Sequence, residues 1–418
     1  MTATDARRAI DAVWRIESAR LIAGLARMTH DLGLAEELAQ DALVAALEQW
    51  PESGVPDNPG AWLMAVAKRR AIDQFRRDKR LQSKIAELGR QLEAEDPGAE
   101  AADDIGDDLL RLMFIACHPV LSTEARVALT LKVLGGLTTE EIARAYLAPE
   151  PTVAQRIVRA KRTLARRQAP FEVPSGDELP ERLQSVLEVI YLILNEGYAA
   201  TAGDDWMRPG LCEDALRLGR ILAELMPKQP EAHGLVALME IQASRMRART
   251  GPDGEPVLLL DQNRTRWDQL LIRRGLAALE RAERLGGLGP YGLQAAIAAC
   301  HARARAAEET DWARIATLYG ALAVVTPSPV VELNRAMALG MAHGPASGLR
   351  HMGALMEEPA LRGYHLLPSA RGDLLARLGR LDEARQEFQR AASLTRNARE
   401  RTLLLERAAA CERGADPT

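Results

Sequence analysis

Aromatic side chains make up only 4% of the 418 residues, and there are only four cysteines. Without alternating runs of Val, Ile, Thr or aromatics, little is available to build half-buried strands. Ala, Leu, Arg and Glu dominate instead, so an all-α chain is expected. Cys117, Cys212, Cys300 and Cys411 are far apart and fit no disulfide or zinc spacing. Cys117-His118 and Cys300-His301 are adjacent pairs, yet a small thiol within a helix is ordinarily a packing residue. The seven histidines show no ligand spacing, and the chain has no Gly-rich phosphate loop, His-Glu-x-x-His or Gly-x-Ser-x-Gly. No enzyme activity, metal or cofactor is therefore expected. No apolar run approaches the ~20 residues of a membrane span, and the first thirty residues, with Asp5, Asp11 and Glu17, do not read as a signal peptide. A cytoplasmic protein without a membrane partner is expected.

The net charge of −4 hides a strong segregation. Residues 152–167 carry six Lys or Arg and no acid, whereas residues 84–108 carry nine acids and two bases. A phosphate backbone responds to local charge, because screening limits its reach to roughly 10 Å. The basic segments are thus compatible with nucleic acid despite the acidic total.

Val13, Ile16, Leu21, Ile22 and Leu25, then Leu34, Leu38, Ala42, Leu43, Ala46 and Leu47, recur at helical spacing on either side of His30–Gly33. A turn-rich loop from Pro51 to Pro59 is expected to end the second helix sharply. Asn58 offers an N-cap and Pro59 a first helical position for a basic helix over 61–80. Its apolar face is Trp62, Leu63, Val66, Ile72 and Phe75; its cationic face is Lys68, Arg69, Arg70, Arg76, Arg77, Lys79 and Arg80. Alone, such a face implies only nonspecific phosphate attraction.

The acidic, Ala-rich stretch 84–108, broken by Pro97-Gly98, reads as a flexible tether. Beyond it, Ser122 caps an apolar helix, and Thr138 caps the first helix of a helix-turn-helix. Ala143 is small where the two helices cross. The second helix starts near Thr152, with Val153, Ile157 and Leu164 inward and Gln155, Arg156, Arg159 and Arg162 outward. Arg and Gln are the side chains that pair bidentately with guanine and adenine edges in a major groove. Pro170, Pro174 and Pro180 mark a boundary, and helical hairpins follow to the end, with a Gly/Pro break near 251–256. Helix starts at Pro230, Pro329 and Asn397 lie 99 and 68 residues apart, near three and two times the ~34-residue tetratricopeptide period. Leu375–Ala391 is the clearest such unit, with its Leu-Gly turn and the alanines flanking Phe388.

This order of parts resembles a sigma-70 family RNA polymerase sigma factor of the extracytoplasmic-function group. The residues that carry the likeness are Ala35–Leu43, Pro59–Leu63, Arg70–Asp73 and the Leu137–Leu164 helix-turn-helix. The long tail, with Asn195–Tyr198 and Asp261–Asp268, is similar to that of a subgroup bearing a tetratricopeptide-like C-terminal extension. The resemblance implies region 2 over 1–82, an acidic linker over 83–108, region 4 over 109–170 and a regulatory helical extension over 171–418. It implies that Glu37, Gln40, Asp41 and Leu43 bind core RNA polymerase. Trp62, Lys68, Arg69, Arg70, Asp73, Arg76 and Arg77 would serve the −10 element of promoter DNA, with loop 51–60 receiving a flipped base. Thr152, Gln155, Arg156, Arg159 and Arg162 would serve the −35 element. Many members have Arg-Asn where Lys68-Arg69 stands, and the turn Leu147–Pro151 is richer in proline than usual, which puts the promoter sequence in doubt.

In the extension, Asp261, Arg264, Arg266, Trp267 and Asp268 gather charge and an aromatic beside the Gly/Pro break. They form either a regulatory surface for a protein or small molecule or a buried polar network that fixes a long loop. The competing reading of the whole chain is a one-component helix-turn-helix regulator with a tetratricopeptide sensor. Such a regulator would have no use for the segment 14–80.

Overall fold

The computed structural model describes residues 3–77, 102–252 and 254–414. The expected tether lies outside these residues up to position 101, as do Lys79 and Arg80. The chain divides into two compact units, residues 1–192 and 193–418.

In the first unit, α1 (Ala3–Thr29) packs on α2 (Leu32–Ser53) and α3 (Pro59–Arg77). Asp31 starts α2 by accepting from the amides of Gly33 (2.7 Å) and Leu34 (3.1 Å), two donors that a helix start leaves without partners. Ile22, Leu25, Leu38, Trp50 and Leu63 fill the core, each no more than 2% exposed. Two expected core positions, Ile16 and Leu47, point outward instead, because the buried stripes run through Leu21, Ile22 and Leu25 and through Leu38, Ala42 and Ala46. Helix α2 also passes Pro51, where a sharp stop is expected from sequence. There the proline deprives only the carbonyl of exposed Leu47 of a donor, and water can replace it. Gly54, at φ +83°, makes the stop, its amide donating to the Trp50 carbonyl (3.0 Å). Asn58 caps α3 as expected, accepting from the Ala61 amide at 3.0 Å.

Helix α4 (Ala102–Ala116) begins inside the segment read as tether. Its Asp108 is buried, taking Arg27 Nε at 2.9 Å and Arg111 Nη1 at 2.9 Å. An acid that suggests solvation in sequence is therefore neutralised by a guanidinium from α1. Next come α5 (Thr123–Val133), α6 (Thr139–Ala145) and α7 (Glu150–Arg166). Ser122 caps α5, and Thr138 with Glu141 forms a reciprocal capping box on α6.

The turn between α6 and α7 holds Leu147 at φ +48° with 55% of its surface exposed. This backbone costs leucine about 1 kcal/mol and asparagine less. Leu147→Asn should therefore raise the calorimetric melting temperature by about 2 °C. A melting temperature that stays put or falls would show that the leucine packs better than its exposure implies.

The expected boundary near residue 170 does not divide the two units. Helix α8 (Leu179–Tyr198) begins in the first, where Arg182 donates to the Phe114 carbonyl (3.0 Å) and Ser185 to that of Cys117. Arg126 of α5 reciprocates by donating to Glu188 at 2.9 Å. The prolines mark a turn, but the hydrogen bonds keep the next helix with the first unit.

The second unit contains α9 (Pro209–Leu225), α10 (Pro230–Ser244), α11 (Gln269–Gly286), α12 (Pro290–Arg303), α13 (Trp312–Val325) and α14 (Pro329–His343). It continues with α15 (Pro345–Met352), α16 (Leu366–Arg377), α17 (Leu381–Leu394) and α18 (Ala398–Glu412). Most sequence neighbours pack as pairs, as the hairpin reading expects. Helix α10 differs: it touches α9, α11 and α12, and it is buried nearly all round. Its run Gly234–Met239 has no polar face to offer water. Glu231 of α10 accepts from the amides of Tyr291 (2.8 Å) and Gly292 (3.1 Å), capping α12 from a distance because Gly289 has no side chain to do so. The α16–α17 hairpin turns at Gly379 (φ +73°) and encloses Phe388 between Ala384 and Ala391. Gly372 is needed there, since a Cβ would lie 2.8 Å from the Phe388 ring. A two-residue parallel pairing of Ala202–Gly203 with Arg396–Asn397 returns the last helix pair to the segment after α8.

Candidate nucleic-acid interface

Helix α7 is strongly two-sided. Val153, Ile157, Ala160 and Leu164 are buried, while Thr152, Gln155, Arg159, Arg162 and Arg166 form an exposed stripe spaced by three and four residues. Arg156 is half-buried beside that stripe. All five residues expected to meet the −35 element thus sit away from the buried face of one helix. With no acid among them, the stripe is a cationic edge that a major groove can accept.

Helix α3 presents Arg69 exposed, with Lys68 and Arg70 half-buried. Trp62 is half-buried and meets Trp50 edge-on, with ring centroids 5.2 Å apart. Asp73 is exposed; the side chains of Arg76 and Arg77 lie outside the described residues. Arg70 reaches across to α2 and pairs with Asp41 at 3.1 Å. The structure therefore joins one residue expected to touch DNA to one expected to touch polymerase.

On α2, Glu37 and Gln40 are exposed, and Asp41 and Leu43 are half-buried. Val44 (48% exposed) and Leu47 (39%) extend the same face. Leu47 is expected in the core from its spacing, and Val44 belongs to no apolar pattern in the sequence. An exposed stripe of Glu37, Gln40, Val44 and Leu47, apolar at one end and polar at the other, has the character of a protein-docking surface.

One residue of the Ala35–Leu43 segment has a role that the sequence does not suggest. Glu36, next to the exposed Glu37, is only 4% exposed. It accepts from Lys161 Nζ of α7 at 2.7 Å and from Gln40 at 2.9 Å, and it pairs with Lys132 of α5 at 3.8 Å. One buried carboxylate thus holds the helix-turn-helix against α2, and Lys161, although basic, is withdrawn from the outward face. Such a carboxylate is inconspicuous in the sequence, because both lysines are about a hundred residues away.

In the second unit, Asp261 and Arg266 are exposed, while Trp267 is 3% exposed. Arg264 donates to the carbonyls of His301 (2.7 Å) and Ala304 (2.9 Å) and to Thr310 Oγ1 (3.0 Å), tying off the C-terminus of α12. Its guanidinium also lies 5.0 Å from the Trp267 ring. Asp268 caps α11 through the amides of Leu270 (2.9 Å) and Leu271 (3.1 Å). Three of the five residues are thus held within the fold, and two face water.

His301, under this network, is pushed down to about 3 by burial and by the nearby Arg245 and Arg264. The folded ring stays neutral, whereas an unfolded chain takes up a proton below about 6.5. The stability it supports is therefore complete above that pH and is lost as pH falls from about 6.5 toward about 3. Thermal unfolding of His301→Phe should accordingly depend less on pH than wild type between pH ~6.5 and ~4. Equal slopes would exonerate this residue.

Burial raises the Cys117 thiol to about 11 and the Cys212 thiol to about 12, so neither supplies a thiolate near neutral pH. Among the described residues, no helix is long and apolar enough to cross a membrane.

Comparison with known proteins falls on the same helices. A model described as Sigma-70 region 2 matches residues 16–81, and one described as Sigma-70, region 4 matches residues 111–164. A family of unknown function, DUF6596, matches residues 182–283. An uncharacterised protein of Rhizobium meliloti is 43% identical over 381 residues, covering 90% of this chain and 89% of that protein. The probable ECF RNA polymerase sigma factor SigI of Mycobacterium tuberculosis is 27% identical over 158 residues, 37% of this chain and 54% of its own length. The ECF RNA polymerase sigma factor SigK of Mycobacterium bovis is 29% identical over 151 residues, 33% of this chain and 74% of its own length. No solved structure matches. Regions 2 and 4 fall, in that order, on the helical units that carry the basic faces of α3 and α7: the chain carries the two regions of a sigma-70 family RNA polymerase sigma factor, with a helical extension beyond region 4.

Proposed function

We propose that this initiation factor works in the manner of the extracytoplasmic-function group, reading two separate promoter elements for core RNA polymerase. Region 2 docks on polymerase through Glu37, Gln40, Asp41 and Leu43, helped by the apolar Val44 and Leu47. Its helix α3 engages and opens the −10 element with Trp62, Lys68, Arg69 and Arg70, joined by Asp73, Arg76 and Arg77. Unstacking a base costs a few kcal/mol, which binding to the polymerase complex must offset. Region 4 reads the −35 element through α7. The observation that carries this reading is the exposed stripe of Gln155, Arg159 and Arg162, opposite four buried residues of the same helix. The helical extension, tetratricopeptide-like in its α16–α17 hairpin, regulates the two regions in cis from within the cytoplasm.

Run-off transcription with purified core polymerase on genomic fragments tests the proposal. Defined start sites that depend on the added protein support it. Footprints made without polymerase, and no transcripts with it, would point to a one-component regulator instead. A truncation designed to test the extension must keep the α8 residues Arg182, Ser185 and Glu188, because they bond to α4, α5 and the segment between them.

A further inference from the structure

The second unit holds a cavity of about 270 Å³ bounded by the loop 258–261 and by α14, α16 and α18. One part of its lining is aliphatic: Leu258, Leu259 and Leu260 from the loop, with Leu333 and Met337 from α14. Three consecutive leucines in a loop are costly to hold near water unless something apolar covers them. None of the lining residues is aromatic.

The other part is polar. Ser369, Asp373 and Arg377 recur along one face of α16, and Arg407 comes from α18. Arg407 is 7% exposed, with its guanidinium fixed between Asp373 (2.6 Å) and the Phe388 ring (4.3 Å to the centroid). Arg377 bonds the other oxygen of the same carboxylate through Nε at 3.0 Å. Two guanidiniums therefore share one carboxylate, which leaves one positive charge in excess at this end of the cavity, where Arg407 is buried and Arg377 reaches the surface. Asp261 also belongs to the lining and is exposed, as Arg377 is, so water screens both and buried Arg407 holds the excess positive charge. Positive charge over a preformed aliphatic wall is the recognition chemistry of a small amphipathic anion.

We propose that this cavity binds a small aliphatic monocarboxylate, its carboxylate on Arg377 and its chain along Leu258–Leu260, Leu333 and Met337. The volume equals about nine waters at ~30 Å³ each, which fits a ligand of about ten heavy atoms. Such a ligand joins the loop to three helices, and the loop leads directly into Arg264–Asp268, the segment that locks α11 and α12. The cavity is thus placed to make the extension responsive to a metabolite. Binding itself requires neither polymerase nor DNA, so its failure would leave the reading of regions 2 and 4 untouched.

The test is calorimetric titration and thermal unfolding of the full chain with sodium octanoate, octan-1-ol and octylammonium chloride. Octanoate should bind and raise the melting temperature, with octanol about tenfold weaker or worse for want of the charge-assisted hydrogen bonds. Arg377→Gln leaves the Arg407–Asp373 pair intact and should weaken octanoate about tenfold. Ala370→Leu, which fills the cavity from α16, should abolish binding, while Asp261→Asn should leave it equal or tighter. No heat and no stabilisation up to ~10 mM octanoate would overturn the proposal. Undiminished binding to a folded Arg377→Gln variant would do the same, as would a preference for octylammonium or equal binding of octanol.

Discussion

Replacing Arg156 and Arg159 together by alanine is expected to reduce promoter-directed initiation by roughly 30-fold or more, without unfolding the protein. Each good bidentate contact to a base is worth about 1–3 kcal/mol of discrimination, so even two weak ones give that factor. Alanine keeps the helix, and α7 is held from its other face by Val153, Ile157, Ala160 and Leu164. Unchanged thermal melting with lost start sites would therefore locate the defect in recognition. The salt dependence adds a second readout. Arginines that touch only phosphate would lower affinity on every sequence alike and flatten the salt slope by about 0.9 per contact. Transcripts at wild-type level from the double variant would remove α7 as the −35 reader.

The second large effect is expected at Glu36. Glu36→Gln keeps the shape of the side chain but leaves Lys161 and Lys132 facing a buried neutral group. Removing one partner of a buried ion pair costs about 3–5 kcal/mol. Opening of region 4 away from α2 should then become about 100-fold more frequent at the lower figure. Hydrogen exchange at the α7 amides reads this, since an undocked α7 loses the packing that keeps its helical hydrogen bonds closed. Replacing the pair by Glu36→Leu with Lys161→Met should restore part of the protection, because apolar substitutes for buried ion pairs are often neutral or stabilising. Protection that does not change in Glu36→Gln would mean that apolar packing, not this carboxylate, joins the two regions. The proposed function adds a consequence. If reading two promoter elements at once requires the regions to part, Glu36→Gln should initiate better than wild type when polymerase is limiting.

Several features were legible because they depend on neighbours in sequence. Asn58-Pro59 and the Thr138/Glu141 box mark helix starts through bonds that span only a few residues. The inward set Val153, Ile157 and Leu164 follows from a 3.6-residue period, and the outward arginines follow from the same count. The Leu-Gly turn before the α17 alanines needs one glycine at positive φ and small residues against Phe388, again a local requirement. The region 2 and region 4 matches cover the first three of these segments but not the Leu-Gly turn.

Other features depended on partners far along the chain. Asp108 reads as part of a solvated acidic stretch until Arg27 of α1 is brought to 2.9 Å. Glu36 and Glu37 are alike in sequence; folding buries one against two lysines and leaves the other in water. Leu47 has the spacing of a core residue yet lies outside, because the direction in which α2 is covered is set by α1 and α3. Trp267 and Arg264 are a charged aromatic cluster in sequence and an internal tie in the folded unit. By itself, the sequence determined most of the helices, their local caps such as Asn58 and Thr138, and the basic face of α7, since each is a matter of short-range hydrogen bonding and periodicity. Only the tertiary structure decided which acids are buried, which apolar residues remain exposed on α2, and that three loop leucines meet two guanidiniums around one cavity. The burial of these acids and their ion pairs belong to surfaces brought together from distant parts of the chain, and no local pattern encodes those contacts.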